Sequence, residues 1–345
     1  MTESYASAEE CRLLYAVMDE IKQLAPWKWM QETDIFGVQG PDAQEPDFVS
    51  VMGMAGEHYA ISAYLGVRGL FQFWHFVENQ ATIEPEELLQ IPQLQVSWED
   101  REMLNTLDRA MLKALGRKTR GRKAWPQLRS YRPGLLPWHL ESAEVERLRL
   151  ALEQVLDVAP RFQTDETLIH VRGQNRFLVR VAERQGDQVV WRDEVRAITQ
   201  AAEVYIEFEM DLQLLAEVKQ LPHVANKLEI DLFLMPLPMQ EPGQRPYFPF
   251  NLLIAESASG AILGTELLQP LPSIESMWAK IPLVIAQFLA SLGIIPAAVH
   301  VTSPVLMQLL PILGKELGFQ IKQKRRLPKL DSAKQEMMDM VGRFS

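Results

Sequence analysis

Cysteine is almost missing from this chain of 345 residues, with Cys11 the single example. One thiol excludes an internal disulfide and cannot build a thiolate metal cage, so a disulfide-stapled fold and a zinc ribbon are both closed to the sequence. Long apolar runs are missing as well. Nothing approaches the roughly 18 uninterrupted apolar residues of a membrane-spanning helix. The opening residues, MTESYASAEE, offer neither a basic start nor an apolar stretch, so the protein is expected in the cytoplasm, with no membrane partner. The six histidines, His58, His75, His139, His170, His223 and His300, show no i, i+4 pair that would suggest zinc, and no metal or cofactor is expected. GMAG and SASG lack the Lys-Ser/Thr of a nucleotide-binding loop and the strand-to-helix setting of a dinucleotide fingerprint. No Gly-x-Ser-x-Gly elbow is present, which removes support for a hydrolase of that class.

What is present is an ordinary globular composition, 47% apolar and 23% charged, in a chain long enough for two or three domains. The formal net charge of −10 disfavours general attraction to nucleic acid or anionic lipid, which leaves a protein as the default partner. The charge is unevenly spread. Residues 113–132 carry Lys113, Arg117, Lys118, Arg120, Arg122, Lys123, Arg129 and Arg132 without an acid, and residues 322–329 carry Lys322, Lys324, Arg325, Arg326 and Lys329, again without one. Within the first stretch RKTRGRK concentrates Arg117, Lys118, Arg120, Arg122 and Lys123 just after a helix end, where cations complement the helix dipole. The plain reading is a solvated loop. The functional reading is an anion-binding patch, with Trp125 and Tyr131 available to stack on bases and nucleic acid as a less favoured ligand.

Periodicity predicts an α+β protein. Residues 8–24 place Cys11, Leu14, Tyr15, Met18 and Ile21 at helical spacing behind a Ser7/Glu10 capping box, and Pro26 stops the run. IFGVQ, DFVSVMGM and HYAISAYLG read as an antiparallel meander, with Gly53 and Gly56 explained by a turn rather than by chemistry at His58. LFQFWHFVEN reads as a buried helix and Ser97 to Leu115 as a longer one, ended by Gly116. Residues 117–140, with three prolines and two tryptophans, read as a surface connector. A helix over 142–158, a hairpin turning at Gln185-Gly186-Asp187 and a short helix near 210–220 follow. The division is therefore an N-terminal α+β domain over 1–116, the connector over 117–140, a middle α+β segment over 141–225 and a C-terminal domain over 226–345.

The last third reads β-β-β-α-β-α-β-α, built from LEIDLFLM, FNLLIAE, AILGTELL, a helix from Ser273 to Leu292, AAVHV, a helix capped by Ser303 with Pro304 at its first position, FQIK, and a helix from Asp331. That order, with EIDLF and PYFPFNLLIAESASGAILG, resembles the integrase branch of the ribonuclease-H-like fold over Leu228 to Gly342. The resemblance implies two metal ions held by three or four carboxylates. Asp231 matches its first-strand aspartate, but Val301, Thr302 and Ser303 stand where the second belongs, and hydroxyls are poor ligands for a hard cation. Glu275, Asp331 and Glu336 are the helical acids on offer. Segments WKWM, SVMGMAGEHYAI, AWPQLRSYRPG and RPYFPF separately resemble a bacterial family built from paired domains of unknown function. The expected function is a non-catalytic binding module on a degenerate ribonuclease-H-like scaffold. The alternatives are a metal-dependent nuclease or transferase with an atypical cluster of Asp231, Glu229, Glu256 and Asp331, and a structural or assembly protein.

Overall fold

Ser7 and Glu10 close the expected capping box in the computed structural model, the Ser7 Oγ accepting from the Glu10 N–H and the Glu10 carboxylate from the Ser7 N–H at 2.7 Å. The structure describes residues 5–79, 85–186, 188–200, 206, 208, 210–241 and 244–342. Two compact units divide the chain, one of Met1–Ala202 with Gly243–Arg245, the other of Glu203–Pro242 with Pro246–Ser345.

The first unit runs α1 (Ala8–Leu24), β1 (Phe36–Gln39), β2 (Asp47–Met52), β3 (Tyr59–Tyr64), α2 (Gly66–Asn79), β4 (Gln93–Glu99), α3 (Thr106–Ala114), β5 (Trp125–Tyr131), α4 (Ser142–Thr164), β6 (Arg176–Gln185) and β7 (Gln188–Ala197). The strands form one sheet in the order β5-β4-β3-β2-β1-β6-β7. Strands β1 to β5 are the antiparallel meander, lengthened by two strands beyond the expected three. Alternation along each strand sorts side chains to two faces. Val49, Val51, Ile61, Leu94 and Val96 pack under α1 and α4 with Leu14, Met18, Leu148 and Leu152, while Phe48 and Tyr64 meet Leu70 and Phe73 of α2 on the other face. Strand β6 lies parallel to β1, with Gly37 opposite Val179. A Cβ at residue 37 would come within 3.0 Å of Val179 Cγ2, so a larger residue there would oblige the Val179 side chain to give way by a few tenths of an ångström.

Four expectations change. The helix expected over Ser97 to Leu115 is split: Leu94, Val96 and Trp98 alternate with Gln93, Gln95 and Ser97 as strand β4, and Asn105 then opens α3 with its own capping box to Asp108. Met103 and Leu107 are consequently exposed. Residues 125–131, inside the expected connector, form β5; it is an edge strand, where Pro126 removes no needed donor. The hairpin expected in a middle segment completes the N-terminal sheet as β6 and β7, its turn residue Asp187 lying outside the described residues. Helix α4 continues past 158 to Thr164 through Pro160, because burial of Val158, Ala159 and Phe162 offsets the missing donor. Gly116, at φ 67°, ends α3 as expected.

The second unit runs α5 (Leu212–Val218), β8 (His223–Leu234), β9 (Phe250–Glu256), β10 (Ile262–Leu268), α6 (Ile274–Leu292), β11 (Ile295–Val301), α7 (Pro304–Leu317), β12 (Gln320–Gln323) and α8 (Pro328–Gly342). From β8 onward this is the order read from the sequence, except that α8 starts at Pro328, ahead of Asp331, since proline suits a first helical position. The sheet order is β10-β9-β8-β11-β12, antiparallel from β10 to β8 and parallel from β8 to β12. Leu228, Ile230, Leu252, Ile254, Val299 and Val301 pack under α6 and α7, and Phe233, Leu253 and Ala255 pack under α8 through Leu330. Two mixed sheets with helices on both faces make the protein α+β.

The facial assignment in the first unit is testable by urea unfolding. Leu152→Ala, at a fully buried position, is expected to cost about 2–5 kcal/mol. Leu13→Ala, on the same layer but 63% exposed, is expected to change stability by no more than about 0.5 kcal/mol. Equal losses would contradict the assignment of α1's buried face.

Candidate functional site

Asp231 sits on β8, the central strand of the second sheet, with 8% of its surface exposed. Since Leu228 and Ile230 face α6 and α7, alternation turns Glu229 and Asp231 to the α8 side. There the Thr302 hydroxyl donates to Asp231 Oδ1 at 3.1 Å, and Lys334 Nζ of α8 lies 3.8 Å from Oδ2. The same ammonium stands 4.7 Å from the centre of the Phe233 ring, a cation–π contact that fixes it over the strand. Asp231 therefore has a hydroxyl at the end of the fourth strand of this unit and a cation on its last helix, where a metal site would require carboxylates.

Glu229 is 5% exposed. Its Oε1 accepts from the Ser257 hydroxyl at 3.2 Å, and its Oε2 has no hydrogen-bond partner among the described residues. The parallel register sets His300 beside it. The His300 imidazole is held below the ordinary histidine value of 6.5, first by partial burial and then by Lys324, with Lys227 and Lys322 adding to the effect and Glu229 opposing it. The remaining expected acids go elsewhere. Glu256 pairs in register with Leu228, which places it on the opposite face from Glu229, and its carboxylate accepts from the Ser259 hydroxyl and N–H at 2.6 Å and from the Ala258 N–H at 3.1 Å. It caps the β9–β10 turn, and those hydrogen bonds, led by the Ser259 hydroxyl, lower its pKa. Asp331 and Glu336 are exposed on α8, and Glu275 lies in the first turn of α6, a helix packed on the other face. Among the described residues no three His, Cys, Asp or Glu side chains are grouped to hold a metal ion.

The basic loop of the first unit sorts into committed and free cations. Arg117 pairs with Asp19 and lies 5.3 Å over the Tyr15 ring. Lys123 donates from Nζ to the Gly56 carbonyl, lies 5.5 Å from the Tyr59 ring and gives its N–H to Asp100 Oδ1 at 2.7 Å. Arg122 stands 3.8 Å from Asp100 Oδ2 and is 89% exposed. Lys118 and Arg120 are exposed and make no hydrogen bond or ion pair among the described residues. Neither aromatic is held for stacking on a base: Trp125 donates to the Gly121 carbonyl at 3.2 Å beneath Arg101, and Tyr131 donates to Gln95 Oε1 at 3.2 Å. The sequence reading missed Lys22, which α1 brings to the same loop, its ammonium donating to the Ala124 carbonyl at 3.3 Å. It also missed Lys334; neither lysine has a sequence signal beyond being one polar residue on an amphipathic helix.

The chain thus pairs two domains of unknown function, one in each unit. Residues 12–180 match the family model described as Domain of unknown function (DUF7309), and residues 214–338 match that described as Domain of unknown function (DUF6930). No curated protein is matched by the chain. No helix among the described residues is long and apolar enough to cross a membrane.

The electrostatics around His300 have signs that proton NMR titration can check. His300 is expected to titrate below 6.5; Lys324→Ala, by removing a repelling cation, should move its midpoint up, and Glu229→Gln, by removing the opposing carboxylate, should move it further down. Shifts of the opposite sign would separate these groups.

Proposed function

We propose that this is a cytosolic binding protein whose second unit is a ribonuclease-H-like scaffold without the catalytic set of that fold. The observation that carries the reading is the company of Asp231. Its two oxygens meet the Thr302 hydroxyl at 3.1 Å and the Lys334 ammonium at 3.8 Å. A divalent cation needs several hard anionic oxygens and would here face an ammonium at a few ångströms, so the lysine stands in for the charge that a metal would supply. Support also comes from the strand order β10-β9-β8-β11-β12, with α6 and α7 on one face and α8 on the other. The register supports it again, because it separates Glu256 from Glu229 and Asp231 across the sheet. The single thiol, Cys11, is buried, and burial raises its pKa to about 11, which makes it a poor nucleophile.

The purified chain, incubated with labelled single- and double-stranded DNA and RNA in Mg²⁺ or Mn²⁺, is expected to leave them intact, and neither ion should raise its thermal midpoint. Lys334→Met should cost about 1 kcal/mol by leaving Asp231 with its hydroxyl alone. Metal-dependent cleavage that disappears in Asp231→Asn would overturn the reading and establish a nuclease.

A further inference from the structure

We propose that the first unit carries a binding site for a small phosphorylated ligand, in the cleft where Lys22 of α1 meets Arg117, Lys118 and Arg120 of the loop after α3. The cleft measures about 400 Å³, with Asp19, Thr119 and Pro126 also on its walls. It assembles cations from positions far apart in sequence, which a merely solvated loop does not require. The inference is independent of the reading given for the second unit.

The charge balance of the cleft decides between a structural and a binding role. Four cations face one carboxylate, Asp19, which Arg117 engages. The cleft adjoins the C-terminal ends of α1 and α3, each equivalent to about −0.5 charge and each a reason for cations on structural grounds alone. Asp19 and the two helix ends together offset about two of the four positive charges. The surplus of about two matches a phosphate monoester, which carries about −1.5 to −2 near neutral pH. Lys22 has its pKa lowered by partial desolvation, with the pull of Asp19 opposing and the weaker push of Arg117 adding to the fall. An anion in the cleft would hold the Lys22 ammonium in its charged form.

The geometry favours a compact phosphate over a polynucleotide. Arg117 is pre-oriented by Asp19 and by the Tyr15 ring, and guanidinium is the donor that reads phosphate oxygens in pairs. Lys118 and Arg120, exposed and without a partner among the described residues, can close on the ligand. The next two cations along the chain, Arg122 and Lys123, turn to Asp100 and to Gly56, so the basic row does not extend as a track for a nucleic-acid backbone. Among the described residues no aromatic face opens into the cleft to take a base, since Trp98 is 2% exposed and Trp125 lies under Arg101. Recognition is therefore of the phosphate group, and pyrophosphate, a compact phosphate anion with about one negative charge more than a monoester, probes it with charge in excess.

Calorimetric titration of the full chain at low salt tests this with pyrophosphate and, separately, a single-stranded oligonucleotide. Saturable one-to-one binding of pyrophosphate is expected, weakened about tenfold or more for each cation removed in Lys118→Ala and Arg120→Ala, and similarly in Lys22→Met. Arg122→Ala, an equal loss of charge outside the cleft, should leave it unchanged. Both loop residues are exposed, so thermal midpoints of the variants should match the parent. No saturable pyrophosphate binding, equal weakening by Arg122→Ala, or tighter binding of the oligonucleotide than of pyrophosphate would each overturn the proposal, the last in favour of an extended nucleic-acid surface.

Discussion

The second unit is governed by the position of β8, which is paired on both sides and covered on both faces. From Leu228 to Asp231 the strand is buried, and any charge there must find partners within the protein. The cost of an unpartnered buried charge is several kcal/mol. Asp231 meets this condition through Thr302 and Lys334, whereas Glu229 meets it only in part, through Ser257 and with one oxygen left over. Both parallel seams, β8 with β11 and β11 with β12, contribute the neighbours that decide these environments: register sets His300 beside Glu229, and Lys322 beside His300.

Polar burial in the first unit serves a different end, which is to hold an edge. Strand β5 has a neighbouring strand on one side only, and on its outer edge Ser130 exchanges backbone hydrogen bonds with Trp138 at 2.8 and 3.0 Å. Side chains hold it further. Arg129 makes two bonds to Asp108 of α3, at 2.8 and 2.6 Å, and Asp108 in turn caps its own helix through the Asn105 N–H at 3.0 Å. Asn105 donates to His139 Nε2 at 3.1 Å, and the partly buried His139 has its pKa lowered by desolvation, with Asp108 opposing and Arg129 and Arg245 reinforcing. Arg245, counted with this unit and 2% exposed, donates to the Leu136 carbonyl at 2.8 Å and to Ser130. These contacts are bidentate or reciprocal, which is the geometry that makes a buried ion pair tolerable.

The sequence disclosed what depends on local chemistry. The bounds of α1 follow from Ser7, Glu10 and an i, i+3, i+4 stripe, and the element order of the last third follows from period and turn residues, because each is decided within a few positions. What it concealed depends on pairing. Strand β4 was masked by Met103, Leu104, Leu107 and Met111, whose spacing imitates a longer helix, and only Asn105, a cap in mid-run, marked the break. Strand β5 was masked by proline, whose meaning changes between an edge and a centre. The candidate acids show the same split. That Asp231 is a strand residue was legible from EIDLF. Which face Glu256 takes was not, since a shift of one residue in the β8–β9 register would reverse it.

A net charge of −10 suggests at first that anions should be repelled everywhere. That inference concerns distances beyond the screening length, which is about 8 Å at physiological salt. Within such a radius a cleft responds to its own lining, and Lys22, Arg117, Lys118 and Arg120 outnumber Asp19 there. The overall charge instead sets what approaches: a long polyanion must bring many phosphates near an acidic surface, whereas a single phosphate group meets only the local field. The same composition thus argues against nucleic acid and leaves a small anion unopposed, because the two ligands sample the charge distribution over different lengths.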